Sequence, residues 1–262
     1  MAITISNSDE IKNEVTNKLV AAITEIWKKI ATVPNFKRSS RKTDILHECI
    51  REVLIDSLGS YMDQFNKLFE LIAETANSDN GKTAKIDSVR DIFGQKFNVD
   101  MMLKRMDIPH TGYLAKCALN TINKNRYNYG SGQIGEIFRF FGGDANINMD
   151  LVFFNITPKI TFNKSKGTST LKKEIVKYLG LTTVSKDGRV LDKLKISDDI
   201  KNKIHEIHIE YEINFGKDFS EIKTEEELNQ LISDNKMSIT IQSDQLKHLI
   251  SYTEYFIAKN LA

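Results

Sequence analysis

The chain has 262 residues, with 37 Lys and Arg against 35 Asp and Glu, 27% charged and 40% hydrophobic residues, and a net charge of +2. That length can bury the core of one large domain or two modest ones, and the ordinary charge and hydrophobicity exclude a disordered, collagen-like or coiled-coil chain. No stretch approaches the ~18–20 consecutive apolar residues of a membrane span. The start, MAITISNSDEIKNEV, lacks a basic segment followed by an apolar run and predicts no signal peptide. Cys49 and Cys117 are too few for a disulfide scaffold or a cysteine-rich zinc site, and are expected as buried free thiols in a reducing cytoplasm.

In residues 8–33, Ile11, Val15, Leu19, Ile23, Ile26 and Ile30 step by three or four and predict an amphipathic helix stopped by Pro34. Asn7 and Glu10 are spaced as a capping pair. A basic loop follows, Lys37-Arg38-Ser39-Ser40-Arg41-Lys42, and residues 43–76 read as one long helix or two broken at Gly59-Ser60. Shorter helical patterns follow at 86–93, 99–106, 112–123 and 134–141. Near residue 142 the period changes. Ile147, Met149, Leu151 and Phe153 alternate as in a strand, and Ile160 and Phe162 continue in a second one. Residues 169–180 return to a helical pattern closed by Gly180, and Asp187-Gly188 signals a hairpin. Over 206–215, Ile207, Ile209, Tyr211, Ile213 and Phe215 share one strand face, with His208, Glu210 and Glu212 on the other. Thr224 and Glu227 form a capping box for a helix to about 233, followed by a strand at 237–241 and a helix from Ser243. The expected class is α+β: a helical N-terminal half, 1–141, followed by a mixed β-sheet with flanking helices, 142–262.

The near-neutral total hides segregated charge. Residues 198–235 carry 11 acidic and 4 basic side chains, whereas 159–177 carry six lysines and one acid, Glu174. The loop cations Lys37, Arg38, Arg41 and Lys42, with Lys172 and Lys173, are the expected phosphate-backbone contacts, because basic clusters gain affinity by releasing counterions from nucleic acid. A solvated lysine face, or docking to a protein partner through the acidic segment, is the competing explanation.

Several motifs match a spelling without the context that gives it chemistry. Ala76 to Thr83 approximates a P-loop but lacks the first glycine and follows a helical pattern rather than a strand. Gly130, Gly132 and Gly135 match a kinase or dinucleotide glycine loop, yet no catalytic-loop motifs follow and no apolar strand precedes, so a turn opening the helix GEIFRFF is expected. Arg41 and His47 match the spacing of the HEPN ribonuclease element, with a basic residue at a helix start and a buried histidine as the alternative. No serine or cysteine triad is indicated. His205 and His208 fall on opposite strand faces, and His208, Glu210 and Glu212 share a face expected to be solvated.

One constellation combines acid, strand and lysine. Gly142-Gly143-Asp144, then Asp150 entering the strand LVFF, then a strand ending Phe162-Asn163-Lys164-Ser165-Lys166, resembles the core of PD-(D/E)xK nucleases, the restriction-endonuclease-like family. In that family an acid at a strand start and an acid-x-lysine on the next strand meet, with carboxylates on Mg²⁺ and the lysine beside the attacking water. The resemblance implies Asp144 and Asp150 as metal ligands, Lys164 or Lys166 beside the scissile phosphate, and Glu136 as a supporting carboxylate. It covers about 30 residues, and Asn163 stands where the second acid belongs. An alternative placement uses Asp199 with Glu210-Tyr211-Glu212. The expected function is therefore a cytoplasmic, Mg²⁺-dependent endonuclease of restriction or defence type acting on nucleic acid, DNA by preference. The rival is a non-enzymatic interaction or assembly protein, such as a phage or virus scaffold, with possible homo-oligomers and no membrane partner.

Overall fold

Two long helices open the chain, and each buries the stripe its sequence predicts. α1 (Ser8–Thr32) sinks Val15, Leu19, Ile23, Ile26 and Trp27, and ends two residues before Pro34. α2 (Arg41–Gly59) sinks Leu46, Ile50, Val53, Leu54 and Leu58, and its last residue is Gly59. The computed structural model describes residues 8–36, 41–59, 69–73, 89–119, 122–143, 148–164, 170–185 and 188–261.

Strands begin well before residue 142. β1 (Phe69–Ala73), β2 (Val89–Arg90), β4 (Met101–Arg105) and the second half of β5 (Ile108–Cys117) occupy stretches in which the apolar spacing suggested helices, and β3 (Lys96–Phe97), paired with β2, lies between two of them. β4 and β5 lie in the middle of the sheet and are covered on both faces. Their buried runs, Met101-Met102-Leu103 and Thr111 to Ala115, therefore never alternate with polar residues, and period-two spacing is absent. A two-residue turn joins them, with Met106 and Asp107 both at positive φ (49° and 67°), the geometry of a type I′ hairpin.

α3 (Ile122–Phe141) runs unbroken through Gly130, Gly132 and Gly135, so this glycine run is helix and not the turn its spelling suggests. β6 (Asp150–Pro158) follows, then the antiparallel hairpin of β7 (Ile160–Lys164) and β8 (Leu171–Ile175). β8 replaces the start of the helix expected at 169–180, because residues 171–175 pair with β7 in a hairpin. β9 (Val184–Ser185) and β10 (Gly188–Arg189) pair around the expected Asp187-Gly188 turn, whose first residue lies outside the described ones. The short α4 (Asp198–Lys201), β11 (Ile204–Asn214), α5 (Glu225–Ser233), β12 (Ser238–Thr240) and α6 (Lys247–Leu261) complete the chain. Thr224 Oγ1 accepts the Glu227 N–H at 3.1 Å, as the capping box requires.

Among the described residues one six-stranded sheet runs in the order β1-β4-β5-β6-β11-β12. β1, β4 and β5 are antiparallel, β5, β6 and β11 are parallel, and β12 is antiparallel to the end of β11. The sheet thus joins residues on both sides of position 142, in an α+β fold with helices on both faces. One face packs Val152, Phe154, Ile156, Ile207, Ile209 and Tyr211 against α1, α2, α5 and α6. The other packs Leu151, Phe153, Met102 and Leu114 against Ile137, Phe140 and Phe141 of α3. Each fully buried large side chain contributes about 1.5–3 kcal/mol, and Phe153, Phe154 and Tyr113 are all completely enclosed. No helix among the described residues is long and apolar enough to cross a membrane.

Cys49 on α2 is buried and Cys117 ends β5 partly covered, and burial pushes both thiols up to about 12. Only the thiolate is nucleophilic. Neither cysteine is expected to react with iodoacetamide in the folded protein at pH 8, and both should react once it is unfolded, as counted by mass spectrometry.

Candidate functional site

The α3-facing side of the parallel strands carries a row of polar side chains in an otherwise apolar layer. Lys116 on β5, Asn155 on β6 and His208 on β11 are in-register neighbours. Asn155 and Thr157 are 2% and 1% exposed, so each requires a partner inside the protein.

At one end of the row, Lys116 Nζ donates to both oxygens of Glu136 on α3, at 2.9 and 2.8 Å. Asp100, which enters β4, accepts the Ala115 N–H through Oδ2 at 2.7 Å, and His47 Nε2 of α2 lies 3.6 Å from its Oδ1. Burial raises the Asp100 carboxyl above its ordinary range, against the opposing pull of His47, the Ala115 N–H and Lys116. Lys116 therefore acts on two carboxylates, one from the sheet and one from the helix.

In the middle, Asn155 Oδ1 accepts from Gln133 Nε2 at 3.2 Å and Asn155 Nδ2 donates to Glu206 Oε1 at 3.1 Å. Glu206, 7% exposed, also accepts the Tyr178 hydroxyl at 2.5 Å and both the N–H and hydroxyl of Thr182, at 2.7 and 2.5 Å. Gly180 is required by this approach: a Cβ there would stand 2.1 Å from Glu206 Oε1 and 2.3 Å from the Tyr178 ring. It is a close-packing glycine and not the helix cap its position suggests.

At the far end, His208 Nε2 lies 2.8 Å from Thr157 Oγ1 and its ring stacks on Tyr178, with centroids 4.0 Å apart. Burial lowers His208 to about 4, and lowers His205 on the opposite face to about 4 as well. An unfolded histidine takes its proton near 6.5, so between pH 6.5 and 4 the unfolded chain binds more protons than the folded one. Stability is expected to be fully present above pH 6.5 and to fall as the pH drops toward 4. Urea midpoints across that range check this, and His208→Gln should flatten the slope.

Asp150 belongs to the other face. It opens β6 fully buried, and Lys259 Nζ of α6 donates to both its oxygens at 2.7 and 2.8 Å, with the Tyr255 hydroxyl 3.5 Å away. Beside it, His110 bridges Thr111 and Asn260 at 2.8 and 3.1 Å, and the Tyr113 and Tyr252 hydroxyls meet at 2.7 Å. These contacts dock α6 on the sheet.

The residues singled out by sequence are thus not gathered in one place. Asp150 and Glu136 sit on opposite faces of the sheet, each with a lysine of its own. Lys37, Arg38, Asp144 and Lys166 lie outside the described residues, as do the side chains of Arg41 and Lys164. Lys42 is close enough to Cys117 to act on its thiol. Lys172 is 3.9 Å from Glu174, and Lys173 lies over the Phe219 ring at 5.3 Å. In the acidic alternative, Tyr211 is buried and hydrogen-bonded to Trp27, and Glu212 pairs with Lys159 at 2.8 Å. No group of three or more His, Cys, Asp or Glu side chains placed to hold a metal occurs among the described residues. Of the residues in this row and around it, the sequence singled out Glu136 and not Asp100, Lys116, Asn155 or Glu206. The available signal was the polar pair Asn155 and Thr157 inside a buried apolar strand. The chain matches no family model, no curated protein and no solved structure.

Proposed function

We propose that the chain acts on nucleic acid as a Mg²⁺-dependent phosphodiesterase, with Asp100, Lys116 and Glu136 as its working residues in place of Asp150 and Lys164. The observation that carries this reading is Lys116 bound through its ammonium to both oxygens of Glu136 at the C-terminal end of a parallel strand, the end at which open α/β sheets take ligands, with its charge also reaching Asp100. Asp100 stands at a strand start and Lys116 on the next strand, the layout of the nuclease resemblance. The acid two residues before the lysine is absent: Leu114 is there, packed into the α3 layer. Glu136 supplies a carboxylate from the helix instead.

Asp100 and Glu136 are each the kind of oxygen donor the cation takes. Mg²⁺ keeps several waters and takes one or two carboxylates together with substrate phosphate, and the side chains of Asp100 and Glu136 retain 28% and 27% exposure. Asp150, whose side chain has no exposed surface, does not fit. Bound Mg²⁺ supplies positive charge against the charge that develops on the phosphate. Lys116 donates from its ammonium to the attacking water, and His47 holds Asp100 from behind. The β7–β8 hairpin follows β6 at the same end of the parallel strands, and its Lys172 and Lys173 are the proposed backbone contacts.

The test is incubation with duplex DNA, single-stranded DNA and RNA, with Mg²⁺ or EDTA. Metal-dependent cutting is expected, reduced by ~10²–10³-fold in Lys116→Met and Asp100→Asn, the scale for loss of one charge-stabilising group. Salt-sensitive binding without cutting would discard the catalysis, and neither binding nor cutting would discard the whole reading. The second reading, an interaction protein, is favoured by one observation: Ile92, Phe93 and Phe138 leave 55%, 73% and 47% of their surface exposed, with Ile92 bonded to the end of α3 through Arg139 O.

A further inference from the structure

We propose that the outer face of α3, together with the turn between β2 and β3, is a platform for single-stranded nucleic acid. The inference rests on the nucleic-acid part of the reading above, not on cleavage, and it names the form of the substrate. Tyr127 is 67% exposed, and Phe138, also exposed, lies eleven positions further along the same helix. At ~3.6 residues per turn the two rings stand within about 20° of one line, ~16 Å apart along the axis. Exposed Ile92 and Phe93 follow at the C-terminal end of the helix, where Ile92 packs so closely on Gly142 that a Cβ there would stand 2.6 Å from its own. The turn is built to hold Phe93 outward. Asp91, itself buried, accepts the N–H groups of Phe93 and Gln95 at 2.9 and 3.0 Å and the Arg139 guanidinium at 3.0 and 2.7 Å. The Ile92 N–H donates to Arg139 O at 3.1 Å and ties the turn to the helix. Phe93 is thus presented on a fixed backbone, which lowers the cost of ordering on binding. Tyr127 is fixed by Arg126, whose guanidinium lies 4.8 Å from the ring centre and donates to the hydroxyl at 3.2 Å.

Between the two rings of α3 the outward positions are Ser131 and Gly135. A Cβ at Gly132 or Gly135 would meet nothing within 4 Å, so packing inside the chain requires neither glycine, although glycine weakens a helix interior. They leave a low floor on which a strand can come close to the helix. The exposed charged side chains of the turn and of α3 are Arg90, Lys96, Lys124 and Arg139, the last shared with Asp91, and all four are cationic. A cationic face with separated aromatic rings matches the two repeating parts of a single strand, its phosphates and its unstacked bases. A duplex keeps its base faces hidden. A helix lying on a membrane needs a continuous apolar face, which Lys124, Asn128 and Ser131 interrupt here. Asn123, near the start of α3, donates to Ile175 O of β8 at 2.7 Å, so the hairpin that carries Lys172 and Lys173 adjoins the Tyr127 end.

Fluorescence anisotropy of the full chain in EDTA, with labelled oligothymidine, oligouridine and a duplex of equal length, tests this apart from cleavage. At least one single strand should bind, more weakly as salt rises, and at least ~10-fold more tightly than the duplex. Phe93→Ala, Tyr127→Ala and Phe138→Ala should each weaken binding at least ~5-fold, the scale of one lost base–ring stack, whereas Tyr127→Phe should bind as the parent does. Gly135→Glu favours the helix but puts bulk and negative charge on the floor, and should abolish binding while thermal melts report an intact fold. Lys116→Met should bind as the parent does, so a protein that binds and never cuts keeps this inference and loses the cleavage reading. Cutting by a protein whose ring variants bind unchanged does the reverse. Four results would each overturn the proposal: no single strand bound, duplex bound as tightly, ring-dependent sedimentation with phosphatidylserine vesicles, or a dimer that Phe93→Ala dissociates in sedimentation equilibrium.

Discussion

Replacing Lys259 with methionine is expected to destabilise the protein by about 3–5 kcal/mol, the cost of leaving a buried charge without its partner. Asp150 has no exposed surface and both its oxygens rest on the Lys259 ammonium. Methionine keeps the length of the side chain but removes the charge. The buried carboxylate is then left without its cation, and that costs stability. The variant Asp150→Asn in the Lys259→Met background removes the charge itself and should recover much of the loss. Urea unfolding of the single and double variants measures both. A Lys259→Met protein as stable as the parent would mean that the pair does not hold α6 to the sheet.

Glu206→Gln is the second large effect, expected at about 2–4 kcal/mol although the shape barely changes. Glu206 is acceptor-only, and four donors converge on it: Asn155 Nδ2, the Tyr178 hydroxyl, and the N–H and hydroxyl of Thr182. A glutamine turns one of its two ends into a donor, so whichever way the amide points, it opposes donors. Tyr178 cannot easily reverse its role, because it also faces Gln133 Nε2 at 3.3 Å. Each buried donor left unmade costs about 1–3 kcal/mol, and partly satisfied networks lose more than their pairwise parts. Glu206→Leu, which leaves all four donors unmet, should be worse still, and thermal melts of the two rank them.

Much of the frame was legible in sequence. The stripes of α1 and α2, the alternation of β11 and the capping box of α5 each state their own geometry within a few residues, because each has one buried and one exposed side. β4 and β5 were not, because a strand covered on both faces loses the alternation that identifies it, and the spacing of its apolar residues then mimics a helix. The same holds for α3, whose glycines spell a loop but are carried inside a helix by the packing of Ile137, Phe140 and Phe141. The candidate site was legible only in Glu136. Lys116 is separated from it by 20 positions and meets it only through the placement of α3 on the sheet, and Asp100, 36 positions away, reaches Lys116 only by its charge. Asp150, the residue with the most suggestive local context, proves to be half of an internal ion pair, and a strand-start acid looks the same in sequence whichever partner it finds.

The parallel centre of the sheet also governs how the chain must reach its native state. β4 and β5 are joined by a two-residue turn and can zip together locally, whereas β6 meets β11 only after residues 159–203 have been brought round as a closed loop. Non-local pairing of this kind slows the search. Refolding is therefore expected to protect the amides of β4 and β5 early and those of Ile207 and Ile209 late, as read by pulsed hydrogen exchange. Until β11 arrives, the inner edge of β6 presents nine residues of unpaired, apolar strand, DLVFFNITP, to any other chain. Dilution and low temperature during refolding should raise the yield for that reason, and the same interval is where a crowded solution would divert the chain into aggregates.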